Sequence, residues 1–205
     1  MGKNINSFNK IFLFTSSFPY GKGETFIENE IIYLSNGFKK VFIISHEKYS
    51  PNQRFIPENV EVINCTYELN FIEKIFSFIH FFNPIFWQEI KTIKIIYGKS
   101  ISIGIIKTML ISLFNGYRLK NKYSKILKKH NVFNSFFYSY WNNDSALALA
   151  LLRKNESKFK CISRVHGWDV FFERSKYNYL PFRKFIFNNL SFITSVSKTG
   201  LDYYV

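Results

Sequence analysis

Two short apolar runs, KIFLFT at residues 10–15 and KVFIIS at residues 40–45, constrain the fold more than any other feature of the chain. Neither alternates with period two, and both are too short to supply a full helix. Such runs suit parallel strands that are buried on both faces of a sheet. Between them lies a turn-rich loop, residues 16–24, carrying Pro19, Gly21 and Gly23. A stripe of Ile27, Ile31 and Leu34 follows at helical spacing, and Gly37 ends it. Thr25 and Glu28 have the spacing of a capping box at the start of that helix. Strand, loop, helix and strand in this order make a βαβ unit, whose crossover is right-handed.

The pattern continues along the chain. Residues 60–63 read as a third strand. Residues 69–82 read as a helix with Ile72, Ile75, Phe76 and Ile79 on one face. Phe71, Phe78 and Phe81 fall elsewhere, so its apolar surface exceeds a single stripe. Residues 90–130 contain no acidic residue, hold lysines from Lys91 to Lys129, and are expected to be mostly helical. Further strands are expected at 132–140, 160–165 and 191–196. Helices are expected at 145–152, after an Asn142-Asn143-Asp144 cap, and at 180–188. Strands alternating with helices predict an α/β chain with a Rossmann-like, doubly wound, mostly parallel sheet. Residues 1–205 show no linker and no internal repeat, so one domain is expected.

A net charge of +14, from 28 Lys and Arg against 14 Asp and Glu, makes phosphate-bearing partners the natural class. Nucleic acid, anionic lipid headgroups and phosphorylated small molecules all qualify. The excess of Lys, Asn, Ile, Phe and Tyr also has a reading as simple composition bias. Nucleic acid is disfavoured because no helix-turn-helix, zinc or single-strand motif is present. Cys65 and Cys161 have no metal-ligand spacing and read as small buried hydrophobes. The first ten residues lack the apolar core of a signal peptide. The longest apolar stretch, residues 75–87, is broken by His80, Asn83 and Pro84. A cytoplasmic chain without membrane spans is expected. Lysines beside the apolar 71–87 segment also suit a peripheral seat on the inner face of the plasma membrane.

Ligands of such sheets bind outside the carboxyl ends of the strands, which directs attention to the loops at 16–24, 138–144 and 166–174. Gly21 and Gly23 admit close approach of a phosphate at a helix start, or simply a tight turn. Lys22 beside them steers an anion or sits in solvent. Glu24 orients a hydroxyl or complements the helix dipole. A dinucleotide fingerprint needs a third glycine where Phe26 stands, although Glu47 occupies the place of a ribose-binding acid. Tyr140 and Trp141 stack on a ligand or pack the core. Arg164, inside a strand, needs a phosphate or a carboxylate, with Asp169 and Glu173 as nearby partners. His166, directly after a buried strand and beside Gly167, heads the site candidates, with Asp169 orienting it or capping a helix.

These same loops carry a family resemblance. The segment FPYGKGETFIENE at residues 18–30 resembles the first loop and helix of bacterial family 4 glycosyltransferases of surface-polysaccharide synthesis. Residues 138–141 (YSYW) are similar to their next crevice loop. Arg164-Val-His-Gly-Trp-Asp169, with Phe171, Glu173 and Arg174, resembles their Arg-x-His-Gly-x-Asp motif. Residues 180–183 (LPFR) and 195–197 (SVS) continue the match in order, and only 49–133 match loosely. The resemblance implies the N-terminal, acceptor-side half of a GT-B fold. It implies a retaining, metal-independent hexosyltransferase with a nucleotide sugar as donor substrate, no cofactor, and a saccharide or polyprenyl-linked acceptor. His166 would then contact the donor sugar and its diphosphate. The basic pair and paired glutamates of the donor-binding domain are not found here, so independent turnover is not expected. A non-catalytic acceptor- or partner-binding module is the alternative.

Overall fold

A computed structural model of the protein describes residues 8–66, 68 and 70–204. Six strands are found among them: β1 (Lys10–Thr15), β2 (Lys40–Ser45), β3 (Val60–Asn64), β4 (Ser135–Ser139), β5 (Lys160–Val165) and β6 (Phe192–Ser195). They form one sheet in the order β3-β2-β1-β4-β5-β6, and every pairing is parallel. This is a Rossmann-like, doubly wound α/β fold.

β1 and β2 are each buried at five of six positions, as their unalternated sequences require. Successive side chains of β1 serve opposite layers. Ile11 and Leu13 pack with Ile27 and Ile31 of α1 (Phe26–Gly37). Phe12 and Phe14 pack on the other face with Tyr123 and Leu127 of α4 (Ile103–Lys128) and with Ala146 and Ala150 of α5 (Asp144–Asn155). Every residue of α5 from Ser145 to Leu152 is buried, which explains its lack of a polar stripe. Between β3 and α4 run α2 (Phe71–Phe76), a 3-10 segment (Ser77–Phe82), α3 (Pro84–Lys91) and a π-turn (Thr92–Ile96). The one-turn α6 (Gly167–Val170), then α7 (Arg183–Asn189) and α8 (Lys198–Tyr204), surround the last two strands.

The structure departs from the sequence pattern in four places. The Thr25–Glu28 capping box does not form. Glu24, at φ 58°, already turns the chain into the helix, Thr25 itself is helical without a side-chain cap, and Glu28 is drawn off to Arg54 at 2.8 Å. The helix expected over 69–82 becomes α2 plus the 3-10 segment, opened by a capping box between Asn70 and Glu73; Leu69 lies outside the described residues. The helix expected from 180 starts at Arg183, because Phe182 takes a left-handed conformation at φ 56° and stops helical geometry from reaching back. The strands expected over 132–140 and 191–196 pair only over β4 and β6. Of the polar N-terminus, residues 1–7 lie outside the described residues.

Cys65 and Cys161 are free and buried, and burial pushes their thiols up to about 11 and about 12. No helix among the described residues is long and apolar enough to cross a membrane.

Candidate functional site

The strand order reverses between β1 and β4, and in sheets of this kind ligands bind outside the carboxyl ends of the strands at such a switch point. The loops after β1, β4 and β5 meet there.

The β1 loop is organised by one side chain. The Glu24 carboxylate accepts the backbone amides of Ser16, Ser17 and Phe18 at 2.8, 2.7 and 2.7 Å, and the Ser17 hydroxyl at 3.3 Å. Its remaining reach crosses to the β4 loop, where the Trp141 indole N–H donates to it at 2.6 Å. Three successive amides of this kind form an anion-binding nest. Here the nest already holds the chain's own carboxylate. The sequence offered Glu24 as a hydroxyl-orienting or dipole-complementing acid; the structure places it as the clasp between the β1 and β4 loops.

The β5 side is fixed by two carboxylates. Glu30, on the same face of α1 as Ile27 and Ile31, makes a forked pair with Arg164 at 2.5 and 2.9 Å and accepts the Tyr138 hydroxyl at 3.0 Å. This corrects the expectation that Asp169 or Glu173 would serve Arg164. Asp169 is 2% exposed and accepts two backbone amides, those of His166 and, at 3.0 Å, Asn142. It therefore ties the β5 loop to the β4 loop. Glu173 is exposed and accepts the Tyr203 hydroxyl at 2.8 Å. Its carboxyl lies below the usual carboxylate range, first through its own backbone amide and then through Tyr203. The Arg164 guanidinium also lies over the rings of Tyr138 and Tyr140, at 5.6 and 5.5 Å.

His166 sits between these anchors. Its ring centroid is 5.0 Å from that of Tyr140 and 4.3 Å from that of Trp141, and Trp168 stands 5.3 Å beyond Trp141. Tyr140 is buried, whereas Trp168 is half exposed. Neither ring nitrogen of His166 has a hydrogen-bond partner among the described residues; Asp169 Oδ2 stands 3.9 Å from Nδ1, beyond bonding range. A Cβ at Gly167 would meet Nη1 of Arg174 at 2.6 Å, the far end of an exposed side chain that can swing aside.

The structure therefore brings together Glu24, Tyr140, Trp141, Arg164, His166, Gly167 and Asp169. Gly21, Lys22 and Gly23 form the exposed outer turn of the β1 loop instead. Gly21 takes φ 65°, and the Tyr20 and Gly23 carbonyls are held by Arg54 at 3.2 and 2.6 Å. A tight turn calls for glycine at Gly21, whereas Gly23 has no left-handed φ. Sequence reasoning missed Glu30, Arg54 and Asn142 as members of this architecture. Glu30 was detectable, because a carboxylate interleaved with the buried Ile27 and Ile31 stripe must meet a cation or donor. Arg54 and Asn142 left no comparable signal.

Chemically, the site offers a histidine with two unpaired nitrogens and an aromatic wall. Its three carboxylates are already engaged. Among the described residues no three of His, Cys, Asp and Glu gather as a metal centre would need. No protein-family model matches the chain, and no curated protein matches it.

Proposed function

We propose that this chain is the acceptor-side, Rossmann-like domain of a retaining GT-B glycosyltransferase, working with a donor-binding domain that holds a nucleotide sugar. The observation that carries this reading is His166, whose buried ring nitrogens are both without a partner among the described residues where the loops after β1, β4 and β5 meet. The ordered motifs at 18–30, 138–141 and 164–169 support it. In a retaining transfer the departing diphosphate gains negative charge, and a preorganised N–H aimed at that oxygen lowers the barrier. His166 supplies such a donor. The acceptor hydroxyl passes its proton to the departing oxygen, so no protein base is required. The engagement of Glu24, Glu30 and Asp169 in other hydrogen bonds agrees with that scheme. Trp141 and the half-exposed Trp168 provide faces on which a saccharide stacks, with buried Tyr140 packed behind Trp141.

A dinucleotide-binding reading fits less well. Its pyrophosphate belongs on the amides of the β1 loop, and those amides hold Glu24.

Tryptophan fluorescence tests the proposal directly. Titration with a short-chain polyprenyl-diphosphate-linked saccharide should give a saturable change, and with a donor-binding domain supplied in trans His166→Ala should lower transfer about tenfold or more with thermal stability retained. Saturable binding of NAD in its place, or no response to any saccharide or nucleotide sugar, defeats the reading. Binding without transfer, even when a donor-binding domain is supplied in trans, makes the chain a non-catalytic acceptor module.

A further inference from the structure

The segment formed by α2 and the 3-10 turn is built inside out. Its polar residues other than Lys74 face the protein. Glu73 pairs with Arg118 of α4 at 2.9 Å, Ser77 is 2% exposed, and the His80 ring stacks on Tyr117 of α4 at 5.2 Å. Its apolar residues face outward. Phe71, Phe76, Phe78 and Phe82 are 77, 62, 65 and 83% exposed, and Ile72, Ile75 and Ile79 between them are exposed as well. A surface helix of a globular protein normally points these two stripes the other way. A contiguous apolar surface of this kind marks an interaction site.

The charge around the patch identifies its occupant. Lys74 is exposed within the segment itself. Lys91 and Lys94 are exposed on the following turns, where Ile95 and Ile96 are exposed too. Lys120 lies over the Tyr117 ring on which His80 stacks. The chain as a whole carries +14, and residues 90–130 hold no acid. A second copy of the chain would set these lysines against one another. An anionic bilayer satisfies both the apolar stripe and the lysines. No described helix is long and apolar enough to cross a membrane.

We infer that residues 71–82, together with Trp87, which is exposed and packs its ring 4.9 Å from that of Phe81, form an in-plane docking surface for a bilayer rich in anionic headgroups. The phenylalanines enter the acyl boundary, the lysines meet the headgroups, and the polar stripe stays on α4. The inference stands on this segment and its charge, independently of the reading of the site at His166. Vesicles that contain no saccharide lipid therefore test it alone.

The chain should co-sediment with vesicles of equal parts phosphatidylglycerol and phosphatidylcholine. Binding should be about tenfold weaker or more on phosphatidylcholine alone or at high salt. The double variant Phe76→Ser/Phe82→Ser should lose about tenfold or more in affinity for the anionic vesicles. Its thermal unfolding should stay close to wild type, because both side chains face solvent. Lys74→Glu/Lys94→Glu should weaken the same binding through charge alone. Absence of binding to anionic vesicles overturns the inference, as does undiminished binding by the phenylalanine variant. So does a concentration-dependent dimer in light scattering that the phenylalanine variant abolishes.

Discussion

A guanidinium at the end of a buried strand requires an anion, and Arg164 finds one in Glu30, 134 positions away in sequence. The requirement was legible in the sequence; the partner was not. Asp169, only five residues along, is committed to the His166 and Asn142 amides, and Glu173 lies in solvent against Tyr203. Both members of the pair are largely out of water, with side chains 28% and 18% exposed. Removing one leaves the other desolvated, so Arg164→Ala should cost about 3 kcal/mol of stability in urea unfolding. Glu30→Gln should cost less after Arg164 is gone than before. A double-mutant cycle should give a coupling of about 1 kcal/mol or more. Additive losses would mean that the forked geometry contributes no specific interaction.

Elements meet where a small residue lets them. Gly116 lies inside α4, and a Cβ there would come within 2.8 Å of Leu147 on α5. Leu147 is fully buried and cannot swing into solvent. Alanine at 116 would gain about 1 kcal/mol of helix propensity and lose about 1–3 kcal/mol to overpacking. Overpacking should win, so Gly116→Ala should lower the melting temperature, and Gly116→Ala/Leu147→Ala should recover much less than a cavity-free repacking would. An unchanged or raised melting temperature in the single variant would show that α4 and α5 slide apart at little cost. The helical period announced α4 and α5 but not this contact. It announced α2 as well, yet apolar period alone does not say which stripe faces the protein. The Glu73–Arg118 pair and the His80–Tyr117 stack decide that.

For the whole molecule, two buried titrations oppose each other. Glu89 of α3 accepts the Tyr179 hydroxyl at 2.8 Å and the Phe182 amide at 3.1 Å, and burial pushes its carboxyl up to about 7. Between its ordinary value near 4.5 and that value, the folded state holds a proton that the unfolded state has lost. Stability therefore falls as pH rises through this window and levels off above it. His46, bonded at 2.7 Å to Tyr123, is held down to about 4, first by burial and then by Lys122. Between about 4 and 6.5 the unfolded state binds the extra proton, so stability rises with pH there. Each effect amounts to about 3 kcal/mol, because one pKa unit corresponds to about 1.4 kcal/mol. They largely cancel in the wild type, while Asp144, raised by burial, adds to the Glu89 direction. Relative to the wild type, Glu89→Gln should therefore tilt the profile toward stability that climbs from acid toward neutral pH, and His46→Gln toward stability that declines. Parallel pH profiles for the two variants and the wild type would contradict both assignments.

What the sequence by itself determined is the class of the sheet, not its strand order. Runs such as KIFLFT and KVFIIS leave no polar face to solvate, so they must lie centrally with a layer on each side, and the intervening segments must be crossovers. That reasoning located β1, β2 and β5 at their observed bounds and directed attention to the loops where Glu24, Trp141 and His166 meet. Only the tertiary structure decided which groups satisfy one another. Glu24 closes on Trp141 over 117 positions and Arg164 on Glu30 over 134. Local pattern records whether a residue must be buried or satisfied, because desolvation acts on each residue where it stands. Hydrogen bonds and ion pairs act only within a few ångströms, and distant segments come that close only once the sheet has brought its strand ends together.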